Sequence, residues 1–160
     1  MGYGADPSHC LRTAIGGADR CIAGNHDLGA TGVVPLGMFS PWARAALSWT
    51  RGAIGRVGRA NLERLTPQDP DGTVALFHAS PSDPVWEYVL EVHQARAALE
   101  DRRVGLTLIG HTHVPFAWRL TTDGALESPG VPPGGRLALE PGRWLVNPGS
   151  VGQPLSLIHI

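Results

Sequence analysis

Lysine is missing from the 160 residues, so all 13 basic side chains are Arg. Against 14 Asp and Glu they leave a formal net charge of −1. That balance gives no bulk attraction to nucleic acid or to an anionic membrane surface. Cysteine is scarce as well, with Cys10 and Cys21 alone. Two thiols cannot form a disulfide framework as the main source of stability, and they fit a reducing, cytoplasmic compartment. No apolar run approaches the roughly 20 residues of a membrane span. The opening residues also lack the basic-then-apolar pattern of a secretory signal. Internal repeats, low-complexity tracts and clustered basic stripes with aromatics are all absent, so the sequence gives no signal for a nucleic-acid partner. What remains is the profile of a globular chain, 42% hydrophobic and 17% charged. Its length suits one domain, burying roughly two-thirds of its unfolded surface.

Along the chain, helix signals alternate with short apolar runs. Asp6 or Ser8 can cap a helix over Ser8–Ile15, with Pro7 in its first turn and Gly16-Gly17 as its stop. Cys21-Ile22-Ala23 reads as a short buried strand entering Gly24-Asn25-His26-Asp27, with a Gly-rich loop on to Gly37. Ser40-Pro41 caps a second helix in which Trp42, Ala45, Ala46 and Trp49 recur at helical spacing. A third helix is expected over Arg59–Leu65, and a polar turn over Gln68–Gly72. Thr73–Phe77 reads as a strand ending at His78, and Val92–Arg102 as a helix with Ala95, Ala98 and Leu99 on one face. Leu106–Ile109 reads as a strand ending at Gly110-His111-Thr112-His113. Val114–Leu120 alternates like a strand, and Thr121–Gly135 is a loop or hairpin tip. Leu137–Leu139 and Trp144–Val146 are further strands, the latter ending at Asn147-Pro148-Gly149-Ser150. The five Trp read as core or lid packing. Four expected strands thus end in polar loops, the place where α/β sheets collect ligands.

Of the seven His, His26, His78, His111 and His113 stand at expected strand ends, whereas His9, His93 and His159 do not. Any one of them alone reads as a satisfied core or surface histidine. As a group they suggest metal chemistry. A His-x-His turn can present two imidazoles to one ion or to adjacent ions, and Gly110 frees the backbone before it. Asn25 adds a carbonyl oxygen, and this donor set suits Mn, Fe, Ni, Co or Zn better than Ca.

Gly24-Asn25-His26-Asp27, the lone His78 and Gly110-His111-Thr112-His113, in that order, resemble the last three blocks of the calcineurin-like metallophosphoesterase superfamily. Residues 2–7, Ser80–Pro84 with Trp86-Glu87-Tyr88, and Asn147–Ser150 are further similar to its small bacterial branch. Asn147-Pro148-Gly149-Ser150 also reads as a plain turn, and Asp83 and Tyr88 as surface loop residues. The resemblance implies an α/β fold, a β-sandwich flanked by helices, incomplete at the N-terminus. It implies hydrolysis of phosphate mono- or diesters at a site of two divalent metal ions. Asn25, His78 and His111 map to ligands of one ion and His113 to a ligand of the other. His26 maps to the general acid, with Asp27 orienting or polarising its ring. The implied substrate is a phosphorylated small molecule, a nucleotide or a phosphoprotein.

The family's earlier D-x-H and G-D blocks do not precede Gly2. The chain is therefore expected to be a partial phosphoesterase domain over residues 1–154. Binding of a single ion, weak at best, and impaired hydrolysis are expected of it. Leu155–Ile160 reads as a non-native tail. The alternative is a non-catalytic protein-interaction module on the same fold.

Overall fold

The computed structural model describes residues 1–101, 104–130 and 135–152, so the expected tail at 155–160 lies outside the described residues. The chain forms two compact units, Met1–Pro67 and Gln68–Ile160.

The first unit is helical. Helix α1 spans Pro7–Gly17, capped by Asp6, whose carboxylate accepts the His9 N–H at 3.1 Å. It ends two residues later than Ile15 because Gly16 and Gly17 still complete its last turn. Where a strand at Cys21–Ala23 and a Gly-rich loop are expected, the structure has extended chain and then helix α2, Asn25–Thr31. Three apolar residues do not make a strand without a partner. Ala23 N–H instead bonds the Thr66 carbonyl at 2.8 Å. Helix α2 ends at Gly32 in a left-handed conformation (φ 91°), the usual helix stop. A single 3-10 turn, Leu36–Met38, precedes α3, Pro41–Ala53, whose cap is Ser40 accepting from Ala43 N–H. Helix α3 turns Ala43, Leu47 and Thr50 inward. The tryptophan pair thus faces out, with Trp42 85% and Trp49 53% exposed, contrary to a core or lid role. Helix α4 occupies Gly55–Leu62, earlier than the expected Arg59–Leu65. Gly29 is the tight point of this unit, since a Cβ there would lie 2.8 Å from Phe39 and 2.9 Å from Leu47.

The second unit holds one six-stranded mixed sheet in the order β1-β2-β3-β6-β4-β5. Its strands are β1 Gln68–Asp69, β2 Val74–Phe77, β3 Leu106–Leu108, β4 Phe116–Leu120, β5 Leu126–Glu127 and β6 Arg143–Asn147. Strands β2, β3 and β6 run parallel, while β4, β5 and β1 join antiparallel. Helix α5, Val92–Asp101, lays Ala95, Ala98 and Leu99 into the core, as its spacing predicts. There they meet Ala75, Phe77, Ile109, Leu120 and Leu145. Burying side chains of this size stabilises by about 1.5–3 kcal/mol each. Gln68–Asp69, expected as a turn, forms an edge strand against β2, and Leu126–Glu127 closes a hairpin with β4. Leu137–Leu139 is not a strand, and Leu139 is exposed. Helices with a mixed sheet meet the α/β expectation.

Candidate active site

Three of the four expected strand ends are real, and the sheet brings them together. Strands β2, β3 and β6 are neighbours and run parallel. Their carboxyl ends therefore deliver His78, Gly110-His111 and Asn147 to one edge, where parallel sheets bind ligands. Gly110 N–H donates to the His78 carbonyl at 3.0 Å, and Ile109 N–H to the Val146 carbonyl at 2.9 Å. A Cβ at Gly110 would crowd that His78 oxygen at 3.3 Å.

His78 Nε2 lies 3.1 Å from His111 Nδ1. His111 is buried at 5% exposure, with the Tyr88 ring tilted over it at 4.1 Å between centroids and the Trp86 edge at 6.4 Å. Burial holds the His111 pKa below its ordinary value, and the charge of His113 adds to this. The Trp86 backbone and Asp83 oppose it. The ring is thus neutral at pH 7, the state that can ligate a metal. His111 and His113 both adopt left-handed backbone, at φ 62° and 58°. For non-glycine residues that costs of order 1–3 kcal/mol each and persists only where surroundings enforce it.

Asn147 supplies part of that enforcement. It is 1% exposed and donates from Nδ2 to the Gly110 carbonyl and to Thr112 Oγ1, both at 2.8 Å. Its Oδ1 accepts Gly149 N–H at 2.9 Å. Sequence spacing leaves this residue as a possible plain turn; only the sheet order puts it beneath the His-bearing loop. Tyr88 is exposed, as expected of a surface loop residue, and also lays its ring over His111. The loop that carries it is tied by Ser80 to Glu87 and Asp83 N–H, and by Asp83 Oδ1 to Val85 and Trp86 N–H at 3.0 Å each.

In the first unit, Asn25, His26 and Asp27 open helix α2. Asp27 Oδ2 accepts Gly24 N–H at 2.8 Å, and Oδ1 pairs with the Met1 ammonium. Both contacts suit a carboxylate in a helix's first turn. Asn25 is buried, and the His26 ring packs against Tyr3 at 4.6 Å and Phe39 at 5.3 Å.

A divalent transition metal fits the His78–His111 pair. Adjacent nitrogen ligands about 2.0–2.1 Å from one ion stand roughly 3.0–3.4 Å apart. His111 Nε2, on the far side of the ring from this pair, is buried without a hydrogen-bond partner among the described residues, and an ion at Nδ1 would not satisfy it. A complete cage is not present, because no three His, Cys, Asp or Glu side chains converge among the described residues.

Residues 9–159 match the calcineurin-like phosphoesterase superfamily domain. The chain is 30% identical over 162 residues to the uncharacterised protein MJ0912 of Methanocaldococcus jannaschii, covering 96% of this chain and 62% of that one. It resembles the crystal structure of a metallophosphoesterase from Sphaerobacter thermophilus at a TM-score of 0.72 and 31% identity, covering 91% of this chain and 60% of that one. The fold is shared with the hypothetical protein PH1004 of Pyrococcus horikoshii, at a TM-score of 0.63 and 15% identity over 90% of this chain and 56% of that one. The chain thus spans less than two thirds of each relative. Its histidine blocks, its strand-end geometry and the match over 9–159 agree: the chain belongs to the calcineurin-like phosphoesterase superfamily.

Proposed function

We propose that the protein hydrolyses phosphate mono- or diesters in the cytoplasm with two divalent metal ions such as Mn, Fe, Ni, Co or Zn. Its substrate would be a phosphorylated small molecule, a nucleotide or a phosphoprotein. The observation that carries this reading is the approach of His78 Nε2 to His111 Nδ1, 3.1 Å apart at the ends of adjacent parallel strands. Bound ions of this kind supply Lewis-acid polarisation of the phosphoryl group and a water of lowered pKa.

The other roles rest on the motif match and not on distances. Asn25, His78 and His111 hold one ion, and His113 contributes to the other. His26 gives its proton to the leaving oxygen, a step that commonly contributes about 10²–10⁴-fold. Tyr3 and Phe39 limit the ring's rotation, and Asp27 fixes the helix start from which His26 projects. Residues 1–154 are proposed as part of the phosphoesterase domain. We further propose that these 160 residues by themselves bind one ion weakly and turn over slowly, because the D-x-H and G-D motifs, with their carboxylates, are not among them.

The test compares this chain with a version carrying those two blocks upstream. Both are assayed with Mn²⁺ on p-nitrophenyl phosphate and bis-p-nitrophenyl phosphate, with calorimetry of Mn²⁺ binding alongside. Turnover and two-ion binding in the extended chain, both weakened here, are expected. An extended chain that is inert with every divalent ion and binds none would overturn the hydrolase reading in favour of an interaction module.

A further inference from the structure

We propose that Asn147 is a positioning residue that holds the Gly110–His113 turn in its left-handed form and so keeps the His111 ring against His78. The placement follows from the sheet. The turn leaves β3 and returns as β4, and β6 lies between those two strands, pairing Leu108 with Val146 on one side and Phe116 with Asn147 on the other. Asn147 therefore ends its strand directly under the crossing segment. Its two Nδ2 hydrogens go to residues 110 and 112, so the side chain straddles His111.

The chemistry asks for asparagine. Gly110 O accepts both Asn147 Nδ2 and Thr112 N–H, the latter at 2.7 Å. Thr112 Oγ1 accepts Asn147 Nδ2 and also Val114 N–H, at 3.2 Å. Asn147 Oδ1 meanwhile anchors Gly149 N–H, and Gly149 has φ 85°. Two donors and one acceptor in a plane are what an amide provides; a carboxylate has no donors and a hydroxyl has one. At 1% exposure, water cannot replace any of them. Two non-glycine residues at positive φ are not a shape the backbone holds by itself.

Only the consequence for metal and phosphate rests on the proposed function; the bracing of the turn does not. The experiment therefore has two arms on the full 160-residue chain. The first reads the amide-to-α-proton couplings and imidazole nitrogen shifts of His111 and His113 by NMR without metal. The second reads Ni²⁺ affinity by calorimetry. Variants are Asn147→Ala, Thr112→Val and, as a control, Leu120→Ala, which lies at the far end of the β4–β6 pairing opposite Arg143.

In Asn147→Ala the couplings of both histidines should leave the left-handed range, and Ni²⁺ affinity should fall about tenfold to a hundredfold. Thr112→Val should give a smaller loss in both arms. Leu120→Ala should lower the melting temperature while leaving couplings and affinity in place. Unchanged couplings in Asn147→Ala, or affinity that falls equally in Leu120→Ala, would overturn the inference. If Asn147→Ala does not fold, Thr112→Val decides by the same readings. Should the wild-type chain bind no Ni²⁺, the metal reading fails and the coupling arm alone decides the role of Asn147.

Discussion

Gly24–Asp27 and Gly110–His113 look alike as sequence, each a glycine followed by polar residues and histidine after an apolar run. The fold holds them by different means. The first block is the opening of helix α2, with ordinary helical backbone, an Asp27 carboxylate on the Gly24 amide and His26 packed between aromatic rings. The second is a strained turn beyond β3, with two left-handed histidines and a buried amide beneath. On the proposed roles, a ring that gives up a proton needs restraint and access, which packing on a half-buried helix end offers. A ring proposed to share an ion with a neighbour needs its nitrogen fixed in space, and here that would come with backbone strain.

The sharpest separation of the two blocks is functional. On the proposed roles, His111→Ala should abolish measurable Mn²⁺ binding at the His78 pair, and with it turnover. His26→Ala in the extended chain should lower kcat by about 10²–10⁴-fold while Mn²⁺ affinity stays within twofold. Calorimetry beside steady-state kinetics reads both. A His26→Ala variant that loses the ion as well would erase the distinction between a protonating block and a ligating block.

Stability should divide in the same way. In the first unit the block depends on close helix packing. Gly29→Ala should destabilise by about 1–3 kcal/mol through overpacking against Phe39 and Leu47, outweighing a helix-propensity gain of about 1 kcal/mol. Asp27→Ala should cost about 1 kcal/mol by freeing the Gly24 amide, and Asp27→Asn less, because an acceptor remains. Urea unfolding measures each. A stabilised Gly29→Ala would mean that the helices are looser than the block requires.

How much of this could be read from the residues differs between the blocks too. Caps were plain, as with Asp6-Pro7 and Ser40-Pro41, because capping is local chemistry. Strands β2, β3 and β6 were legible through apolar runs that break at His78, Gly110 and Asn147. Cys21–Ala23 misled because three apolar residues carry no information about a neighbour. The two-residue strands β1 and β5 exist only through pairing with distant segments. The Trp42–Trp49 spacing gave a helix but not its inward face, which Leu47 and Thr50 occupy. For the site, the order of the histidine blocks carries the family resemblance, and the resemblance implies the ligands. The role of Asn147 was out of reach, since it depends on β6 lying between β3 and β4, a fact of sheet order.

The smallest effect offers the most direct contrast, because its sign should reverse between the blocks. Asparagine visits left-handed backbone more readily than a bulkier ring, since its short polar side chain bonds locally. At His113, φ 58°, His113→Asn should therefore stabilise the metal-free chain by a fraction of the roughly 1–2 kcal/mol that left-handed backbone costs. At His26 the backbone is helical and the ring packs on Tyr3 and Phe39. There the same change removes aromatic contact and should destabilise by about 1 kcal/mol. Paired urea titrations without metal give both signs in one experiment. If His113→Asn also destabilises, the second turn is not strained by its histidine, and both blocks would be stabilised by their own side chains. If the signs oppose, the sequence keeps histidine at 113 at a cost in stability, which a purely structural residue would not require.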